Sequence, residues 1–299
     1  MNGVPASPAG QACAVKPVAN GASPLALWAL RVMWIAVGVL APWAAAAESR
    51  SDAVRVSLLA WGWTLWVAVL VALLVPAAAS LTAVRAVMPV AFVAAVADGR
   101  MLPVAVVIAA WAVASLPDTA DALVQGGAYG DETRFLLRTP VTYALPALLA
   151  ISAQWAALLG GSLLLAAHRW VPGAVLTVVG VALLRSVPRQ LHRLSRRWLV
   201  LVPAGIVVHD HVVLAETLMV RTAQVSAMEL VVANGEAADL TGGVFGPRIS
   251  VTASQADKVI LSPITAKTLG TAEALHVQMF TVAPRRTARA LSMLLSRRG

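Results

Sequence analysis

From residue 24 to about residue 187 the chain runs in long apolar stretches, and beyond that point it breaks into short ones. A helix that crosses a bilayer needs about 20 consecutive, mostly apolar residues. Six stretches meet or approach that length: 24–47, 56–79, 81–97, 101–116, 142–167 and 171–187. The third and fourth are short, and predict either a tight hairpin about Asp98-Gly99-Arg100 or a re-entrant pair. The first has a second reading as a signal peptide, because Arg31, an apolar run and then WAAAAES offer a small-residue cleavage site near Ala47.

The rhythm changes at LSRRWLVLVPAGIVVHD, residues 194–210. WLVLV and IVVHD are β-rich runs separated by Pro203-Ala204-Gly205, which predicts a hairpin whose loop uses Gly205 at positive φ. Further short runs follow at 212–220, 227–233, 248–253, 258–261 and 276–283, with turn-prone Asn234-Gly235 and Gly242-Gly243 between some of them. In the closing PRRTARALSMLLSRR, Leu291, Leu294 and Leu295 share one helical face, while Arg285, Arg286, Arg289, Arg297 and Arg298 lie mostly elsewhere. The fold class that follows is a membrane all-α bundle of about six transmembrane helices over 24–187, then a small soluble α+β domain over 188–299. That domain reads as a bent sheet or barrel with a C-terminal amphipathic helix.

Composition agrees with this division. The chain is 59% hydrophobic and 12% charged, against roughly 45–50% and about 25% for soluble domains, and so much apolar surface needs lipid as well as a core. Residues 1–23, rich in Gly, Ala, Ser and Pro, lack any apolar period and are expected to be disordered. The single cysteine, Cys13, lies there and excludes an intramolecular disulfide or a Cys-based zinc site.

The net charge is +9, and its excess falls beyond residue 184, where 14 Lys and Arg stand against 7 acids. Basic residues on the cytoplasmic side of a membrane account for this without nucleic acid. With the N-terminus inside, inside loops hold nine basic residues and outside loops four, so the expected location is the plasma membrane, multi-pass, with the C-terminal domain cytoplasmic. Arg185, Arg189, Arg193, Arg196 and Arg197 then sit just past the last span, as membrane-surface contacts for anionic headgroups worth about 1 kcal/mol each.

Arg31 and Arg85 fall within apolar segments and are the intramembrane candidates, although both lie near segment ends, where a long side chain snorkels to the headgroups. No carboxylate falls inside a span, so a proton relay has no candidate. Prolines 42, 76, 89, 103, 146 and 172 mark kinks, and Gly160-Gly161, Gly173 and Gly180 mark close helix approach. The acid-bearing loop 117–139, with Asp118, Asp121, Asp131 and Glu132, reads as a solvated connector, its GDETRFLLR piece as an interfacial turn of helix.

A domain of about 100 residues that follows a membrane bundle, opens with RRWLVLVPAGIVVHD and closes with HVQMFTVAPRRTARALSMLLSRR resembles the bacterial pleckstrin-homology-like (PH-like) domains attached to membrane proteins. The resemblance implies a strongly bent sheet capped by a helix, and a mostly non-catalytic module. Lipid-binding members carry basic residues around the first hairpin loop. Pro203-Ala204-Gly205 has none, so phosphoinositide recognition is not implied. The whole chain also resembles uncharacterised polytopic membrane proteins of high-GC Gram-positive bacteria, a likeness that supplies no activity.

Catalytic signatures are lacking. There is no Gly-x-Ser-x-Gly, phosphate loop, His-Glu-x-x-His or dinucleotide fingerprint. His209 and His211 could share a metal from one strand face with Glu216, but read more simply as a polar strand end. No catalytic residue, metal or cofactor is expected. The function that follows is non-enzymatic binding or scaffolding through the C-terminal domain, with the lipid bilayer and a membrane or cytoplasmic protein as partners. The alternative is a transporter or lipid-handling protein with its site inside the bundle.

Overall fold

A computed structural model describes residues 24–232, 237–269 and 274–297. The tail 1–23 expected to be disordered, the Asn234-Gly235 turn and Arg298 lie outside those residues.

The first apolar stretch forms α1 (Pro24–Leu40) and α2 (Pro42–Ala47), broken at Ala41, whose φ is 41°. Then come α3 (Asp52–Leu74), α4 (Ala78–Asp98), α5 (Met101–Ser115) and α6 (Pro117–Gln125). A strand, β1 (Thr133–Leu136), precedes the long helices α7 (Val141–Ala166) and α8 (Trp170–Ser195). Five segments are long and apolar enough to cross a membrane, or six if α5 and α6, which meet at a 63° bend, make one span. By itself α5 rises ~22 Å, short of the ~30 Å hydrocarbon core. The helices are apolar on both faces. On α1, Leu27, Leu30, Trp34 and Val37 are buried while Leu25, Trp28, Val32, Ile35 and Val39 are exposed, as befits a helix surrounded by lipid.

Tryptophans tie the bundle together, because an indole N–H in apolar surroundings needs an acceptor. Trp34 Nε1 donates to Trp66 O at 2.9 Å and Trp66 Nε1 to Trp34 O at 2.8 Å, which joins α1 to α3. Trp61 Nε1 reaches Ser162 Oγ at 3.0 Å, and Trp155 Nε1 reaches Ala86 O at 2.7 Å. The α7/α8 hairpin closes on Gly161, Gly173 and Gly180, where an added Cβ would fall 2.6 to 2.8 Å from the facing helix.

The C-terminal region contains β2 (Trp198–Val202), β3 (Gly205–His209), β4 (Leu218–Arg221), β5 (Val225–Val231), β6 (Ala238–Asp239), β7 (Arg248–Ile260), α9 (Pro263–Leu269), β8 (Ala274–Val282) and α10 (Thr287–Ser296). Two four-stranded sheets, ordered β1-β2-β3-β4 and β5-β7-β8-β6, enclose one core, with α10 packed against β5 and β7. The sequence runs at 248–253 and 258–261 are one long strand, β7, whose pairing with β8 shifts between Thr252 and Asp257.

Several expectations are corrected. Loop 117–139 is no solvated connector. It folds into α6, which buries Thr119, Asp121 and Leu123, and into β1, which pairs with β2 from Thr133↔Leu201 to Leu136↔Trp198. Helix α8 continues to Ser195, past the boundary at 187 expected from sequence, and the β-rich region that follows it borrows an edge strand from between two spans. Gly205 does not use positive φ. It is the first residue of β3, and a Cβ there would fall 2.2 Å from Val220 O on β4. Leu295 is exposed, and the buried face of α10 is Thr287, Ala290, Met293 and Leu294.

Strand β2 explains the uninterrupted apolar run WLVLV. Leu199 and Leu201 enter the domain core, whereas Trp198 and Val200 join the buried cluster of the bundle together with Leu136. Covered on both faces, the strand has no reason to alternate with polar residues.

Candidate functional site

A cavity of about 830 Å³ opens in the bundle between α2, α3, α4 and α7, within the ~300–1,000 Å³ range of ligand sites. Its walls are Trp, Val, Ala and Leu, with Ser49, Arg50 and Ser51 at the end far from the C-terminal domain. On α3 it runs from Val54 to Trp66 and on α4 from Ala97 to Val87, about 15–18 Å of helix or half the ~30 Å hydrocarbon thickness. Gly160 lines it, and a Cβ on Gly160 would meet nothing within 4 Å. This corrects the expectation that Gly160 serves helix approach: its neighbour Gly161 does that, while Gly160 leaves the cavity open. Trp43 also lines the cavity. It is 6% exposed, and its Nε1 is buried without a hydrogen-bond partner.

The two intramembrane arginines are elsewhere. Arg31 Nε and Nη2 donate to Leu73 O at 3.0 and 2.8 Å, capping the end of α3, where carbonyls lose their helical donors. Its guanidinium also lies 4.6 Å from the centre of the Trp28 ring. Arg85 Nη2 is buried without a hydrogen-bond partner, close enough to Arg285 for the two cations to repel; Arg285 Nη1 donates to Ser115 O and Arg286 pairs with Asp118 at 2.8 Å. Neither Arg31 nor Arg85 lines the cavity.

The five arginines after the last span separate into three environments. Arg185, Arg189 and Arg193 are exposed and recur every fourth residue along the end of α8. Arg196 is half-buried, its Nη2 3.4 Å from His209 Nε2. Arg197 is not a membrane-surface contact, since it is wholly buried and paired with Asp210 through Nε and Nη2 at 2.8 to 2.9 Å.

His209 stacks on Trp198 with centroids 5.2 Å apart, and its ring lies 4.4 Å from that of His211. Asp210 is turned away into its ion pair, and among the described residues no three His, Cys, Asp or Glu side chains gather into a metal set. Burial, and then the neighbouring His211 and Arg196, push the His209 pKa down from 6.5 to about 4. Below pH 6.5 the unfolded chain takes up a proton that the folded domain refuses. Domain stability should therefore decline as pH falls from about 6.5 towards 4. His209→Gln should flatten that slope in amide-exchange measurements on β3 across the pH range.

The chain matches no protein-family model, no curated protein and no solved structure. The cavity escapes sequence reading because its walls use the same residue types as the lipid-facing surface. Gln154, an uncharged amide set in ALLAISAQWAALL within α7, does not line this cavity and carries no charge to mark it in the sequence.

Proposed function

We propose that this is a multi-pass plasma-membrane protein that binds lipid inside its bundle, the acyl chain of an outer-leaflet lipid lying in the 830 Å³ cavity. The observation that carries this reading is the cavity itself: apolar over half the depth of a bilayer, polar only at its far mouth, and too apolar for a polar solute path. The unpartnered Trp43 N–H within it suits an ester carbonyl. The Lys and Arg distribution supports a cytoplasmic C-terminal domain, which makes the cavity an outer-leaflet feature. Two sheets closed by a C-terminal helix support the PH-like comparison, and exposed Arg185, Arg189 and Arg193 suit anionic headgroups beside that domain.

Gly160→Leu tests the reading, because a Cβ there meets nothing within 4 Å and a leucine side chain takes up space in the cavity that the acyl chain needs. In native mass spectrometry of the full chain released from nanodiscs, lipid retention should fall at least tenfold in Gly160→Leu. It should persist in Val178→Leu, which alters the exposed face of α8. Equal retention in wild type and Gly160→Leu would overturn the proposal.

A further inference from the structure

A second cavity, of about 370 Å³, lies between α4, α7 and α8 in the half of the bundle nearer the C-terminal domain. It is separate from the first. Trp155 lines the second, Trp61 lines the first, and the two rings meet edge to face with centroids 6.3 Å apart. Alanines of α4 and aliphatic side chains of α7 and α8 make most of its wall, and its polar residues are Thr82, Gln154 and His192.

Gln154 is 2% exposed, and its Oε1 is buried with no donor. An amide oxygen left so in a low-dielectric interior costs about 1–3 kcal/mol. Pro188 also lines the cavity from within α8 and has no N–H to offer the carbonyl of Leu184, another lining residue. The Thr82 hydroxyl is already engaged, donating to Ala78 O at 3.0 Å and lying 3.3 Å from His192 Nδ1. Among the described residues no Lys, Arg, Asp or Glu lines this space. The cavity therefore offers an amide oxygen that lacks a donor, no charge, and apolar walls beside lipid.

Each feature narrows the occupant. A phosphate or carboxylate would need a cation that the walls lack. A ketone or quinone head brings only acceptors and leaves Gln154 Oε1 as it stands. Water needs 2–4 polar partners apiece, and most of this wall is alanine and aliphatic side chains. A hydroxyl both donates and accepts, and on an apolar tail it suits the rest of the surface. We propose that this second cavity binds the uncharged, hydroxyl-bearing head of a lipid, with the hydroxyl donating to Gln154 Oε1. Diacylglycerol is the simplest lipid of that class.

The experiment uses the full chain in nanodiscs and a diacylglycerol with brominated acyl chains, whose approach quenches the fluorescence of Trp155; Trp155→Phe identifies that component of the signal. Saturable quenching is expected with diacylglycerol. The same lipid with its hydroxyl acetylated should bind about tenfold more weakly, a comparison that needs no variant. Gln154→Leu should abolish the difference between the two lipids. Gly160→Leu, which narrows the other cavity, should leave it intact, so failure here is distinguishable from failure of the outer-leaflet reading. Equal affinity for the free and acetylated lipids, quenching that never saturates, or discrimination that survives in Gln154→Leu would each overturn the assignment.

Discussion

Asp210→Ala is expected to cost the C-terminal domain about 3–5 kcal/mol, the usual penalty for leaving one member of a buried ion pair alone. That is a large part of the ~5–15 kcal/mol that holds a typical domain together. Both side chains are fully buried, and the Arg197 guanidinium does more than meet the carboxylate. Its Nη1 donates to Arg138 O and its Nη2 to Thr241 O, each at 3.1 Å, so one side chain joins the segment after β1, the start of β2 and the turn after β6. Asp210 Oδ1 also accepts from the Val212 and Val213 amides, fixing the turn that follows β3. Without the carboxylate the guanidinium keeps its charge and loses its counter-ion.

Amide exchange of the full chain in micelles should show lost protection across β2 and β3, with the α7/α8 hairpin unaffected. Replacing both partners, Arg197→Met with Asp210→Leu, should recover most of it, because the desolvation cost disappears with the charges. Recovery falls short of complete, since Arg138 O and Thr241 O lose their donor. Exchange in Asp210→Ala equal to wild type would show that the pair carries no such weight.

The spans were legible because a run of about 20 apolar residues has few structural outcomes. Strand β1 was not. TRFLL has the strand-favouring residues Thr and Phe but no two-residue alternation, and within GDETRFLLR it is equally compatible with a turn of interfacial helix. What decides is the partner strand, some 60 residues further along the chain. The same limit applies to adjacent residues of one type. Gly160 and Gly161 differ only in rotation about α7, one facing the cavity and the other α8. Arg196 and Arg197 differ in the same way across the start of β2, one half-buried beside His209 and the other enclosed with Asp210. Hydrophobic period says which residues leave water, but the lining of a hole within the bundle is set by which helices fail to touch, and that belongs to tertiary packing.

Residues 188–299 produced alone are expected not to give a stable, monomeric domain, although they look self-contained in sequence. Their removal from the bundle strips β1 from the edge of β2, leaving four residues of open ladder next to a strand that is apolar on both faces. It uncovers Trp198 and Val200, which pack into the bundle, and withdraws Phe135 and Leu137 from the domain core. Backbone bonds from Leu137 N to Arg197 O, from Arg138 N to Ala283 O and from Arg285 N to Leu136 O go with it. An exposed apolar edge strand is a template for self-association, so the fragment should sediment as oligomers and lose amide protection throughout β2. Joining residues 117–139 through a flexible linker restores the strand and the core residues but leaves the bundle-facing side of β2 uncovered. That version should regain protection in β2 while still associating, which separates the contribution of the strand from that of the membrane helices beneath it. A monomeric 188–299 fragment with the amide protection of the full chain would mean that β1 merely rests on a finished domain.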